Sequence, residues 1–117
     1  MQSAKEFRKA YRVPNSLDQV TLQLTLIGEE FKEWLQAHEQ MNLMMPLTRA
    51  ECLKELADLT YVIYQYAANY DWDLDEAMNR VHESNMSKLV DGKPIKREDG
   101  KVLKGPNYKS PDLLDLV

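Results

Sequence analysis

Residues 17–39 read LDQVTLQLTLIGEEFKEWLQAHE. At about 100° per residue, Val20, Leu24, Ile27, Phe31, Trp34 and His38 fall on one stripe of a helix, and Leu22 and Leu26 on a second. Asp18, Thr21, Thr25, Lys32, Gln36 and Glu39 form a polar face. Glu30 lies between the two apolar stripes, Glu33 beside Leu26, and Glu29 at the border with the polar face. Two acids therefore point into the sector that the pattern assigns to the interior, where an unpaired ion costs several kcal/mol.

The next helical stretch repeats the anomaly. Within 49–69, Cys52, Leu56, Leu59, Ile63 and Tyr66 form a core stripe, flanked on the Val62 side by Glu55 and Asp58, with Glu51 one turn earlier. Glu30 and Glu33, like Glu55 and Asp58, are three apart, a spacing that sets two side chains on one helix face about 5–6 Å apart at Cβ. Basic partners, protonation with raised pKa values, or a divalent cation would each relieve the repulsion. These helices carry only Lys32, Arg49 and Lys54, so the cation is the most economical remedy. A donor set of carboxylate oxygens suits Mg²⁺, or Mn²⁺, better than zinc. A di-iron bundle needs Glu-x-x-His on two helices, whereas Leu35 and Asn79 stand three positions before His38 and His82.

Capping-box patterns place the helices: Ser3-x-x-Glu6, Ser16-x-x-Gln19, Thr48-x-x-Glu51 and the variant Asp73-x-x-Glu76. The spacing predicts helices over 4–11, 17–39, 49–69 and 74–88, separated by Val13-Pro14-Asn15, by Met44-Met45-Pro46-Leu47, and by Asn69 to Trp72. Beyond residue 90 the helical pattern ends. Glu98-Asp99-Gly100-Lys101 can turn a short hairpin between Pro94-Ile95-Lys96 and Val102-Leu103-Lys104. The expected fold is all-α: a helical hairpin plus a third helix in a body of residues 1–90, and an irregular extension, 91–117, lying on the body or on a partner subunit. One neighbouring helix cannot cover both apolar stripes of 17–39. A homodimer or tetramer, with a four-helix core built from two hairpins, is therefore expected.

The chain has 117 residues, 44% of them hydrophobic, enough for one packed domain. Residues 1–85 carry eight basic against fourteen acidic residues, and 86–117 carry seven against five. An acidic body argues against nucleic-acid binding, which draws on a basic surface. No run approaches the roughly 18 apolar residues of a membrane span. Met1–Glu6 lacks signal-peptide character, and a lone Cys52 excludes an internal disulfide. A soluble, cytoplasmic protein is expected.

Glu29-Glu30-x-x-Glu33 followed by Glu55-x-x-Asp58 resembles the EExxE…ExxD signature of the all-α nucleoside triphosphate pyrophosphohydrolases, which include MazG-type enzymes, dimeric dUTPases, dCTP pyrophosphatases and phosphoribosyl-ATP pyrophosphohydrolase. The contexts Leu26-Ile27-Gly28 and Leu56-Ala57-Asp58-Leu59-Thr60-Tyr61 are similar to the family's helices. Asn85-Met86-Ser87-Lys88 is similar to its Asn-x-x-Lys element, and the tail from Asp99 to Leu113 to that of short single-domain members. The resemblance implies Mg²⁺-dependent cleavage between the α- and β-phosphates, giving monophosphate and pyrophosphate. It implies metal binding by Glu30, Glu33, Glu55 and Asp58, a catalytic part for Glu29 and Glu30, and phosphate contacts from Asn85 and Lys88. It also implies dimers, sometimes paired into tetramers. Spacing does not decide which acid is the base. Phosphoribosyl-ATP hydrolysis in histidine biosynthesis is the alternative within the same chemistry. A non-catalytic helical oligomerisation module, its acids merely solvated, is the alternative outside it.

Overall fold

The computed structural model describes residues 1–117 as two compact units, Met1–Trp72 and Asp73–Val117. The first holds α1 (Gln2–Ala10), α2 (Leu17–Gln40) and α3 (Pro46–Asn69). The second holds α4 (Leu74–Met86), a two-stranded hairpin of β1 (Ile95–Lys96) and β2 (Val102–Leu103), and a 3₁₀ turn at Leu114–Leu116. The fold is all-α apart from that hairpin. No helix is long and apolar enough to cross a membrane.

Local chemistry accounts for the helix ends. Ser16 caps α2 through its hydroxyl, which accepts from the Gln19 amide at 3.3 Å, and Asp73 caps α4 by accepting from the Glu76 amide at 3.0 Å. The Thr48 box does not open α3. Pro46, with φ preset for a helix and no amide to leave unpaired, occupies its first turn, so α3 begins three residues before the predicted 49. Thr48 closes the preceding loop instead: its Oγ1 accepts from the Asn42 amide at 2.9 Å. The Ser3 box is likewise unused, because α1 starts at Gln2. Both α1 and α3 end in the same way. Arg12 (φ 54°) and Asp71 (φ 56°) take the left-handed conformation, and the amides of Val13 and Trp72 return to the carbonyls of Arg8 and Ala67 at 2.9 and 3.0 Å.

In the first unit α2 packs along α3 as a hairpin, and α1 packs on α3. The seam is unusual. Gln23 and Ala37 are buried on α2, with Glu30 half-buried between them at steps of seven residues, and Glu55, Gln65, Ala67, Ala68 and Asn69 are buried on α3. The hairpin thus closes over polar and small residues that lie between the apolar stripes. The stripes are only partly covered: Leu24 is 57% exposed, and Leu22, Phe31, Leu56 and Ile63 are also exposed, while Val20, Ile27, Trp34, Cys52, Leu59 and Tyr66 are half-buried. The only buried hydrophobic residues are Ala4, Ala37, Ala67 and Ala68.

A buried hydrogen-bond network ties the unit together. The Arg8 guanidinium donates to Gln65 Oε1 (3.4 Å), the Pro14 carbonyl (3.1 Å), Asn15 Oδ1 (2.6 Å) and Asn69 Oδ1 (3.0 Å). Asn69 Nδ2 donates to the Ser16 carbonyl, and Gln65 Nε2 to the Ala4 carbonyl. In the second unit the tail is fastened to α4. Ser84 Oγ donates to the Lys109 carbonyl at 2.7 Å, and Arg80 pairs with Glu76 and Asp115. Gly105 approaches the end of α4 so closely that a Cβ there would lie 2.7 Å from Val90 Cγ2 and 2.8 Å from the Lys88 carbonyl oxygen. The hairpin registers Ile95 with Leu103 and Lys96 with Val102, around Gly100 at φ 88°.

Candidate metal centre

The polar seam brings acids from two helices together. Glu30 comes from the middle of α2, and Glu55 and Asp58 come from consecutive turns of α3. One carboxylate oxygen from each lies within 4.8 Å of the other two. Glu55 is 8% exposed, while Glu30 and Asp58 are half-buried. Glu33, one turn after Glu30, is exposed but reaches back to hydrogen-bond the Glu30 side chain.

The electrostatics of this cluster are strained. Burial pushes the Glu30 carboxyl above the usual range, and the Glu33 charge and hydrogen bond, then Asp58 and Glu55, push it further. Lys54 supplies the nearest positive charge. Its ammonium sits 3.1 Å from Glu55 Oε1 and 3.3 Å from Asp58 Oδ2, and those two carboxylates hold the lysine pKa above its ordinary value. The side chain is 61% exposed and free to swing away.

Two observations fit this cluster to a hard divalent cation. Glu30 Oε2 and Glu55 Oε2 are buried with no hydrogen-bond partner, although buried carboxylate oxygens are normally paired. The donors are also all carboxylate oxygens, the set that Mg²⁺ and Mn²⁺ prefer, with no thiolate or imidazole among them.

The remaining residues singled out by sequence fall elsewhere. Glu29 and Glu51 are exposed and stand outside the three-carboxylate group. Asn85, exposed near the end of α4, and Lys88, half-buried just beyond it, belong to the second unit. Lys54, counted in the sequence only as one of three scarce basic residues, is a direct partner of the acids, and its i, i+4 spacing to Asp58 is an ordinary signal for a helix ion pair. Sequence reasoning passed over Arg8, Gln65 and Asn69, whose contacts span 57 to 61 positions and leave no local trace.

A family model described as phosphoribosyl-ATP pyrophosphohydrolase matches residues 3–85. No curated protein matches the chain.

Proposed function

Because the chain belongs to the phosphoribosyl-ATP pyrophosphohydrolase family, and is thus a nucleotide pyrophosphohydrolase acting on a phosphoric anhydride, we propose that it hydrolyses nucleoside triphosphates between the α- and β-phosphates in a Mg²⁺-dependent reaction. The observation that carries the reading is the pair of buried, unpartnered oxygens, Glu30 Oε2 and Glu55 Oε2, in a group of three carboxylates.

In this reading Glu30, Glu55 and Asp58 hold the ion, and Glu33 orients Glu30 through their hydrogen bond. When bound there, Mg²⁺ would neutralise charge on the polyphosphate and polarise the phosphorus under attack. Lys54 leaves Glu55 and Asp58 as the acids take up their ligand. Water adds to the α-phosphorus, the bond from that phosphorus to the bridging oxygen breaks, and pyrophosphate leaves with the electron pair. The water proton passes to a carboxylate of the α2 acid run, where Glu29 and Glu30 are adjacent. Asn85 and Lys88 are assigned to the phosphates by the family resemblance. A second copy of the chain covers the exposed parts of the apolar stripes of α2 and α3, giving a homodimer or tetramer.

Phosphoribosyl-ATP offers the same scissile bond, and the description of the matching family favours it as a second substrate class. The test is pyrophosphate release from a panel of nucleoside triphosphates and phosphoribosyl-ATP, with Mg²⁺ and with EDTA. Monophosphate and pyrophosphate from at least one substrate, only with the metal and lost in Asp58→Asn, are expected. Orthophosphate as first product would overturn the assignment of the cleaved bond.

A further inference from the structure

The seam holds a third buried oxygen without a partner, and it lies outside the acid cluster. Gln23 is 4% exposed and its Oε1 makes no hydrogen bond. It lines a cavity of about 220 Å³ in the first unit, walled by Phe7, Leu22, Leu26, Tyr61 and Val62. The Phe7 and Tyr61 rings meet edge to face, centroids 5.8 Å apart. Arg8 and Gln65 also line it, but their polar ends are committed to each other, to Asn69 and to backbone carbonyls. Gln19 and Tyr61 also line it but stand nearer the surface, so Gln23 is the buried wall residue whose oxygen lacks a partner.

A buried amide oxygen with no partner costs about 1–3 kcal/mol, a penalty that leucine at this position would avoid. Its position relative to the acids suggests what it serves. Gln23, Leu26 and Glu30 follow one face of α2 at i, i+3 and i+7, and Asp58, Tyr61, Val62 and Gln65 follow the facing side of α3 at i, i+3, i+4 and i+7. The cavity and the three carboxylates therefore lie along the same α2–α3 seam. Seven residues of helix separate Gln23 from Glu30 by about 10 Å, comparable to the reach from an α-phosphate across a pentose to the far edge of its base. The cavity is smaller than the roughly 300–1,000 Å³ of sites that enclose a whole drug-sized ligand. It suits one heterocycle, held between apolar faces and read at one edge.

We infer that this cavity is the nucleobase subsite and that Gln23 is its specificity-determining residue, its Oε1 accepting a hydrogen bond from an N–H on the edge of the base. This deepens the pyrophosphohydrolase reading and rests on it. A site built to pair a polar edge discriminates strongly against ligands that leave the group unpaired.

The test is calorimetric titration of the full chain, in Mg²⁺, with the α,β-imido analogues of the four common nucleoside triphosphates, repeated for Gln23→Leu and Asp58→Asn. The wild type is expected to favour one base by about 10-fold or more. Gln23→Leu should flatten that ranking to within about 3-fold while triphosphate binding persists, and its Tm without ligand should hold or rise because the unpaired amide is gone. Asp58→Asn should weaken all four analogues and keep their order. A ranking unchanged in Gln23→Leu, or a flat ranking in the wild type, overturns the subsite and leaves the hydrolase reading standing, the cavity then holding only water or a side chain of a second copy. A Gln23→Leu protein that loses Tm overturns it too, because the amide is then structural. Absence of binding by every analogue to the wild type removes the triphosphate reading and the subsite together.

Discussion

Replacing Glu55 by Gln should stabilise the ion-free protein and remove most of its response to metal. Glu55 is 8% exposed, and its carboxylate lies within 4.8 Å of oxygens from Glu30 and Asp58. Two unit charges 4.8 Å apart repel by about 3.5 kcal/mol at an effective dielectric near 20 and by about 0.9 kcal/mol in bulk water. Lys54 offsets part of this, but its side chain is exposed and solvent screens the pair. Converting Glu55 to a neutral amide of the same shape should therefore stabilise the ion-free protein by about 1–2 kcal/mol, a Tm rise of about 5 °C for a chain of this size. Mg²⁺ should do the reverse. An ion present at ten times its Kd adds about 1.4 kcal/mol to the wild type, and little to a variant that has lost a central ligand. Differential scanning fluorimetry in EDTA and in Mg²⁺ reads both effects. A variant less stable than wild type in EDTA, or an equal Mg²⁺ gain in both proteins, would refute the reasoning.

Three further outcomes are expected. The raised Glu30 pKa means that the folded, ion-free protein binds a proton more tightly than the unfolded chain. Its stability should be fullest below the ordinary glutamate pKa and should fall as pH rises through the raised value. The Mg²⁺-induced Tm gain should grow over the same interval, and Glu30→Gln should remove both slopes in melts from about pH 4 to 8. Arg8→Met leaves Gln65 Oε1 without its buried donor and Asn69 Oδ1 with the Ser16 amide alone, and should cost about 3 kcal/mol in urea unfolding, with the α1 amides losing hydrogen-exchange protection first. Light scattering should give a mass that is a multiple of 13.6 kDa, since the open faces of α2 and α3 need a cover; a monomer stable at micromolar concentration would contradict the proposed assembly.

Much of this was legible in the chain itself because helices write their periodicity locally. The span of α2, the caps at Ser16 and Asp73, and the hairpin around Gly100 follow from neighbours a few positions apart. Glu30, Glu55 and Asp58 stood out because charge in an apolar sector needs a reason. The wheel was less reliable about what would be buried. It assigned Val20, Leu24, Ile27, Phe31, Trp34 and His38 to the interior together with Glu30, whereas the hairpin buries Gln23 and Ala37, half-buries Glu30 and leaves Leu24, Phe31 and His38 exposed. A wheel locates apolar faces, but it does not say which of two faces a single neighbour will cover. Gln23 escaped notice for the same reason, as a polar residue among apolar ones with no charge to raise an alarm. The Arg8 network could not be read at all, since its partners meet only after α1 folds onto α3.

The central claim is that Glu30, Glu55 and Asp58 enclose one divalent cation, and crystals soaked in Mn²⁺ test it most directly. An anomalous difference map recorded at the manganese edge should show a peak bonded to all three carboxylates, with the Lys54 ammonium moved off Glu55 and Asp58. Lys54 still bridging those two acids in saturating Mn²⁺, with no peak between them, would contradict it.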